Sequence, residues 1–301
     1  MSDGDVVDKL CCASCGIEEV DDIKLKECAD CDLVRYCSNG CQREHKLQHE
    51  EACKKRATEL RDELLFKQPE SSHRGDCPIC MIPLQLDLSK SSMAMCCSKT
   101  ICNGCNYANQ KREFGGKLQH TCPFCRKALT FSNEEHDKQR MKRIEANDPA
   151  AMYQEGFKQD GKGDYSSAFE YYTKAAQLGD AEAHYQLSIL YHHGHGIEKD
   201  CGRQIRHLEE AAIGGHPGAR YNLGVLEWIN NNAERAVKYF IIAATQGHDK
   251  SIKYLMEIFK GGFVSKDELA AALRAHKASV DATKSPQREA AEAYHRVQKE
   301  Y

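Results

Sequence analysis

Ala175-Ala176-Gln177-Leu178-Gly179-Asp180 recurs as Ala211-Ala212-Ile213-Gly214-Gly215-His216 and again as Ala243-Ala244-Thr245-Gln246-Gly247-His248. The equivalent glycines are 36 and 32 residues apart, and a second register, Tyr153, Tyr185, Tyr221 and Tyr254, keeps intervals of 32, 36 and 33. Such a period has room for two helices and a turn. Before each Ala-Ala pair the apolar residues fall at i, i+3, i+4, i+7 and i+8, as in Ala168, Tyr171, Tyr172, Ala175, Ala176 and in Ala236, Tyr239, Phe240, Ala243, Ala244. The alanines permit close helix crossing, and the glycine three residues beyond fits a left-handed cap. The middle unit places Gln204 and His207 in its stripe. The tyrosine and alanine stripes are core positions. The histidines of Tyr191-His192-His193-Gly194-His195-Gly196 are expected to face solvent around a turn.

Outward from the repeats, the composition changes. Of 17 cysteines, eight lie between Cys11 and Cys53 and eight between Cys77 and Cys125, with only Cys201 beyond. The first nine residues carry three aspartates, not a basic run followed by an apolar one. No apolar stretch approaches a membrane span. A soluble protein of the cytoplasm or nucleus is therefore expected, and in a reducing compartment paired cysteines point to metal instead of disulfides. The 42 basic and 45 acidic side chains give a net charge of −3, which offers no field for nucleic acid.

In the first cluster, Cys12-x2-Cys15, Cys28-x2-Cys31, Cys37-x3-Cys41 and His49-x3-Cys53 supply eight ligands, enough for two tetrahedral zinc sites. Pairs two apart suit a knuckle turn. Pairs three apart suit one helical turn, which predicts short helices under Cys37/Cys41 and His49/Cys53. Cys11 competes with Cys12 as first ligand, but only Cys12 keeps the knuckle spacing. His45 is expected to face solvent. Tyr36-Cys37-Ser38, Cys41-Gln42, His49 and Cys53 resemble a MYND finger, and the resemblance implies interleaved ligands: Cys12, Cys15, Cys37 and Cys41 on one zinc, Cys28, Cys31, His49 and Cys53 on the other. Lys46 stands where that family usually has tryptophan, and His45 where an acidic residue is common.

The second cluster reads Cys77-Pro78-Ile79-Cys80, Cys96-Cys97, Cys102-x2-Cys105 and Cys122-Pro123-Phe124-Cys125-Arg126. It resembles a RING finger of the all-cysteine kind, with four residues between Cys97 and Cys102. The resemblance implies Cys77, Cys80, Cys102 and Cys105 on one zinc and Cys96, Cys97, Cys122 and Cys125 on the other; His120 is the competing ligand. It also implies that Ile79 is an exposed contact for a ubiquitin-conjugating enzyme, that Pro123 shapes the second contact loop, and that Arg126 clamps the enzyme with its ubiquitin.

The repeats resemble Sel-one-like repeats, relatives of tetratricopeptide repeats. All three parts in this order are similar to MYND- and RING-type proteins with Sel-one-like repeats of the kind found in diatom-type algae. The expected fold is mainly α: a MYND-like finger (11–53), a helical linker (54–76), a RING-like finger (77–126), a linker helix opened by Ser132 and Glu135 (127–147), a repeat solenoid (148–262) and a C-terminal helical cap (263–301). Ser265 with Glu268 forms a capping box, and Pro286 opens a last helix. Four structural zinc ions are expected, with no catalytic residue, since no nucleophile elbow, phosphate loop or His-Glu-x2-His motif occurs. The expected partners are proteins, including a ubiquitin-conjugating enzyme, with no nucleic acid and no membrane. Two functions fit: a RING-type ubiquitin ligase whose repeats or first finger recruit substrate, and a non-enzymatic interaction scaffold.

Overall fold

The structure, a computed structural model, describes residues 11–129 and 132–299, so the acidic N-terminal stretch lies outside it. The chain divides into two compact units, one ending at Lys67 and one beginning at Gln68.

In the first unit, β1 (Lys26–Glu27) pairs antiparallel with β2 (Arg35–Tyr36), and α1 runs from Asn39 to Leu65. The Ser38 hydroxyl accepts the Cys41 N–H at 3.2 Å and starts the helix. From Cys41 to Leu65 there is neither glycine nor proline, so nothing ends it. The two short helices and the separate helical linker expected from the spacing are thus one 27-residue helix, with Cys37 just ahead of its cap. Few side chains are buried: Cys12, Cys28, Cys31, Tyr36, His49 and Leu65. That is too little apolar surface to offset chain entropy without cross-links.

The second unit opens with residues 68–76 and a cysteine module. There β3 (Ser91–Ala94) pairs antiparallel with β4 (Lys99–Cys102), and α2 (Asn103–Gly116) follows. After α3 (Asn133–Glu145) come four antiparallel helix pairs. They are α4 (Pro149–Gly161) with α5 (Tyr165–Gln177), α6 (Ala181–His193) with α7 (Cys201–Ile213), α8 (Pro217–Ile229) with α9 (Ala233–Thr245), and α10 (Asp249–Lys260) with α11 (Lys266–Ala282). A last helix, α12 (Pro286–Lys299), completes the unit.

Gly179, Gly215 and Gly247 take φ of 84°, 88° and 86°. The N–H of the following residue bonds back to the first alanine of each pair: Asp180 to Ala175 at 3.1 Å, His216 to Ala211 at 2.9 Å and His248 to Ala243 at 3.1 Å. This left-handed cap closes one helix and releases the next within two residues. Ala168, Tyr172, Ala175, Phe240, Ala243 and Ala244 are fully buried. A third register repeats with the others: Gly156, Ser188 and Gly224 follow the tyrosines by three. A Cβ on Gly156 would lie 2.7 Å from the Tyr172 ring, and one on Gly224 2.7 Å from the Phe240 ring. A small residue on the first helix thus admits a large one from the second.

Two expectations need correction. Ser132 precedes α3, but its hydroxyl bonds to the Glu134 carboxylate and caps no backbone N–H. The expected linker helix is α3, and it is tied on both sides: Arg143 reaches Ser98 of the cysteine module at 3.2 Å and Arg140 reaches Glu155 of α4 at 2.6 Å. The C-terminal segment is not one cap: α11 packs on α9 and α10 and closes the stack, behind the expected Ser265–Glu268 capping box, whereas α12 returns to pack along α2.

Candidate metal centres

Each Cys-x-x-Cys pair that opens a ligand group or closes the second module forms the same turn. The residue after the second cysteine is left-handed (Gly16, φ 75°; Asp32, φ 52°; Met81, φ 56°; Arg126, φ 63°). Its N–H bonds to the carbonyl of the first cysteine, at 2.9, 3.4, 2.8 and 2.9 Å respectively. The turn aims two thiols at one point. Cys41, His49 and Cys53 come from α1, Cys105 from α2, and Cys96 and Cys97 from the turn joining β3 to β4.

The side chains gather into four groups: Cys12, Cys15, Cys37 and Cys41; Cys28, Cys31, His49 and Cys53; Cys77, Cys80, Cys102 and Cys105; Cys96, Cys97, Cys122 and Cys125. Within each, all ligand atoms lie within 4.8 Å of one another. In the first unit the Sγ–Sγ distances include 3.6 Å for Cys15–Cys37, 3.5 Å for Cys37–Cys41 and 3.8 Å for Cys28–Cys53, with Cys31 Sγ 3.0 Å from His49 Nε2. In the second they are 3.8 Å for Cys80–Cys102, 3.3 Å for Cys96–Cys125 and 4.0 Å for Cys97–Cys122. A tetrahedron of thiolates at the zinc–sulfur distance of about 2.3 Å has edges of about 3.8 Å, whereas a disulfide is near 2.05 Å. All 17 cysteines are free. The donor sets therefore fit zinc, as three groups of four cysteines and one group of three cysteines with a histidine. Four protein ligands leave no position for water or substrate, so such an ion holds structure and performs no chemistry.

Backbone N–H groups support the thiolates. Burial pushes the Cys77 thiol up, but N–H donors of Cys102, Cys80 and Ile79 outweigh it and bring it down to about 7. The competing ligands lie elsewhere. Cys11 is exposed and forms a β-bridge with Glu18. His120 Nδ1 sits 3.0 Å from the Glu113 carboxylate. His45 does not face solvent as the sequence suggests: it is half-buried, 3.1 Å from the Tyr36 hydroxyl and stacked on the ligand-position ring of His49. Among the contact residues of the second module, Ile79 is 43% exposed, Arg126 is exposed and Pro123 half-buried. His192, His193 and His195 lie around the repeat turn, with His192 and His193 at the end of α6 and His195 just past it.

A further cluster escaped the sequence. His73 Nε2 lies 3.1 Å and His216 Nε2 3.4 Å from the two oxygens of Glu182. His216 Nδ1 accepts the Ala219 N–H at 3.0 Å. Its proton must then sit on Nε2 and point at the carboxylate, so this ring donates a hydrogen bond instead of ligating a metal. Burial alone would raise the Glu182 carboxyl; the hydrogen bonds from His216 and His73 prevail and hold it well below the ordinary range. The cluster ties the segment ahead of Cys77 to α6 and to the cap of α8. No local signal announces it, because its members are 109 and 34 residues apart.

Residues 12–53 match the family model of the MYND finger, and 150–180, 181–216 and 217–248 match that of the Sel1 repeat. The chain thus carries a MYND finger and a Sel1 repeat domain of the protein-interaction kind. It is 25% identical to DAP3-binding cell death enhancer 1 of Mus musculus over 167 residues, covering 42% of this chain and 33% of that protein. It is 33% identical to chitin synthase regulatory factor 4 of Schizosaccharomyces pombe over 86 residues, covering 28% and 14%. The chain spans a third or less of the length of these relatives. A crystal structure of a Sel1 repeat protein from Oxalobacter formigenes superposes with a TM-score of 0.44 at 19% identity, covering 59% of this chain and 72% of that one. Among the described residues, no helix is long and apolar enough to cross a membrane.

Proposed function

We propose that the chain binds four zinc ions through the sixteen side chains named above and acts as a RING-type ubiquitin ligase, its second module receiving a charged conjugating enzyme and its repeats or MYND finger receiving a protein substrate. The observation that carries the reading is the pair of Cys-Pro-x-Cys knuckles. Each exposes the apolar residue between its cysteines, Ile79 and Phe124, both 43% exposed. Each belongs to a different ligand group, and the two groups interleave along the chain. Apolar side chains held out by cross-linked turns are ordered before a partner arrives, which lowers the entropic cost of binding. Arg126 stands one residue beyond the second knuckle, where a guanidinium can bridge two acceptors at once.

On this reading the chain catalyses by holding the conjugating enzyme near a lysine of the substrate, with no covalent step on its own residues. Elemental analysis of the purified chain should return four zinc ions; two or fewer would remove the reading of one cluster. A transfer assay with activating enzyme, a panel of conjugating enzymes, ubiquitin and ATP should show ubiquitin chains dependent on this protein. Four zinc ions with no transfer across the panel would leave the interaction scaffold.

A further inference from the structure

The last helix is built into the second cysteine module. Its Arg288 is 4% exposed, and a buried guanidinium needs acceptors. They come chiefly from the first knuckle and its exit: Nη1 donates to the Pro83 carbonyl at 2.6 Å, and Nη2 donates to the Ile82 carbonyl at 2.9 Å and to Cys80 Sγ at 3.6 Å. A fourth acceptor, the Thr283 carbonyl at 2.7 Å, ties the arginine to the end of α11. The approach depends on Gly104 of α2, where a Cβ would lie 2.9 Å from the backbone nitrogen and from Cγ of Arg288. Two contacts outside the guanidinium hold α12 along the same module: Tyr294 packs on Tyr107 with ring centroids 4.9 Å apart, and Glu292 pairs with Lys90 at 3.1 Å.

We propose that Arg288 is a positioning residue for the centre formed by Cys77, Cys80, Cys102 and Cys105, and through it for the knuckle that presents Ile79. Four thiolates around one zinc ion carry a formal double negative charge, and a buried cation beside Cys80 offsets it. A hydrogen bond to a ligating sulfur also withdraws electron density from the metal–thiolate bond. Meanwhile the two carbonyl contacts fix the chain where it leaves the knuckle. The other three ligand groups receive nothing from Arg288. The proposal rests on zinc occupying this centre and not on ligase activity; a Cys77→Ser variant that keeps the full wild-type zinc content would sink that occupancy before any Arg288 variant is compared.

The test uses the full chain with two readouts: chelator-driven zinc release followed by a metallochromic dye, and, after cobalt replacement, the thiolate-to-cobalt charge-transfer band. Arg288→Gln should release one quarter of the zinc at least tenfold faster and leave three quarters at the wild-type rate. It should also shift the cobalt band; Arg288→Lys, which keeps the charge and loses the fork, should fall between. Gly104→Ala, which retains the guanidinium but displaces its helix, should reproduce the fast quarter and decides the matter if Arg288→Gln does not fold. Unchanged release with an unmoved band would overturn the proposal. So would uniform acceleration of all four ions with loss of helical signal, because the role would then be general and not local to one centre.

Discussion

Glu113 of α2 and His120, seven residues on, meet just ahead of the second knuckle of the second module, with His120 Nδ1 3.0 Å from the carboxylate. The same carboxylate, 1% exposed, accepts the Thr121 N–H and hydroxyl, each at 3.1 Å. These bonds occupy His120 and anchor the segment leading into Cys122. His120→Ala should therefore leave the zinc content at the wild-type value. Glu113→Ala strands buried donors at a cost of about 1–3 kcal/mol and should lower the melting temperature. Elemental analysis of His120→Ala and a thermal melt of Glu113→Ala are the checks; loss of one zinc ion on His120→Ala would make it a ligand after all.

The glycines that follow the repeat tyrosines by three give a second prediction. Gly156→Ala and Gly224→Ala each push a methyl group into a fully buried ring, Tyr172 or Phe240. Each should destabilise the repeats by about 1–3 kcal/mol, the usual range for overpacking. Thermal unfolding followed by helical signal should show it. Gly161→Ala, with nothing within 4 Å of the added carbon, should not share the loss.

Acid should weaken the repeat domain through His207. Burial, helped by the neighbouring His184, Arg206 and Arg203 and opposed by Glu210, pushes its imidazole down to about 4. In the unfolded chain it titrates near 6.5. Between these values the unfolded state binds more protons, so stability falls as pH drops from about 6.5 to 4 and levels off below. Tyr171 and Tyr239 hold the equivalent position in the flanking units. His207→Tyr should therefore have a shallower loss of melting temperature over that window than the wild type, and parallel curves would contradict the assignment.

The repeats are legible in the sequence because their signals are local. Gly179, Gly215 and Gly247 each cap their helix within a few residues of the alanines they follow. Cys77 and Cys80 likewise announce a knuckle by spacing alone. The Tyr153-x-x-Gly156 register is equally available, through the small residue at the same offset in the first three units. What stays hidden depends on distant chain. Arg288 reads as an ordinary charge on an amphipathic helix until α12 is seen on α2, and His73, Glu182 and His216 share no pattern. Lys54 reads as the start of a linker helix only if the zinc pairs end theirs; without a breaker, α1 simply continues.

Arg126 is where the proposed delivery of ubiquitin by the second module can be put to the test. Arginine already bears the left-handed φ of 63° there, and alanine would bear much the same strain, so Arg126→Ala should keep four zinc ions and the wild-type melting curve. With a conjugating enzyme that the wild type uses, the variant should transfer ubiquitin at least tenfold more slowly, a loss of about 1.4 kcal/mol of transition-state positioning. Equal rates would contradict the clamp, and a wild type inactive with every conjugating enzyme tried would contradict the ligase itself.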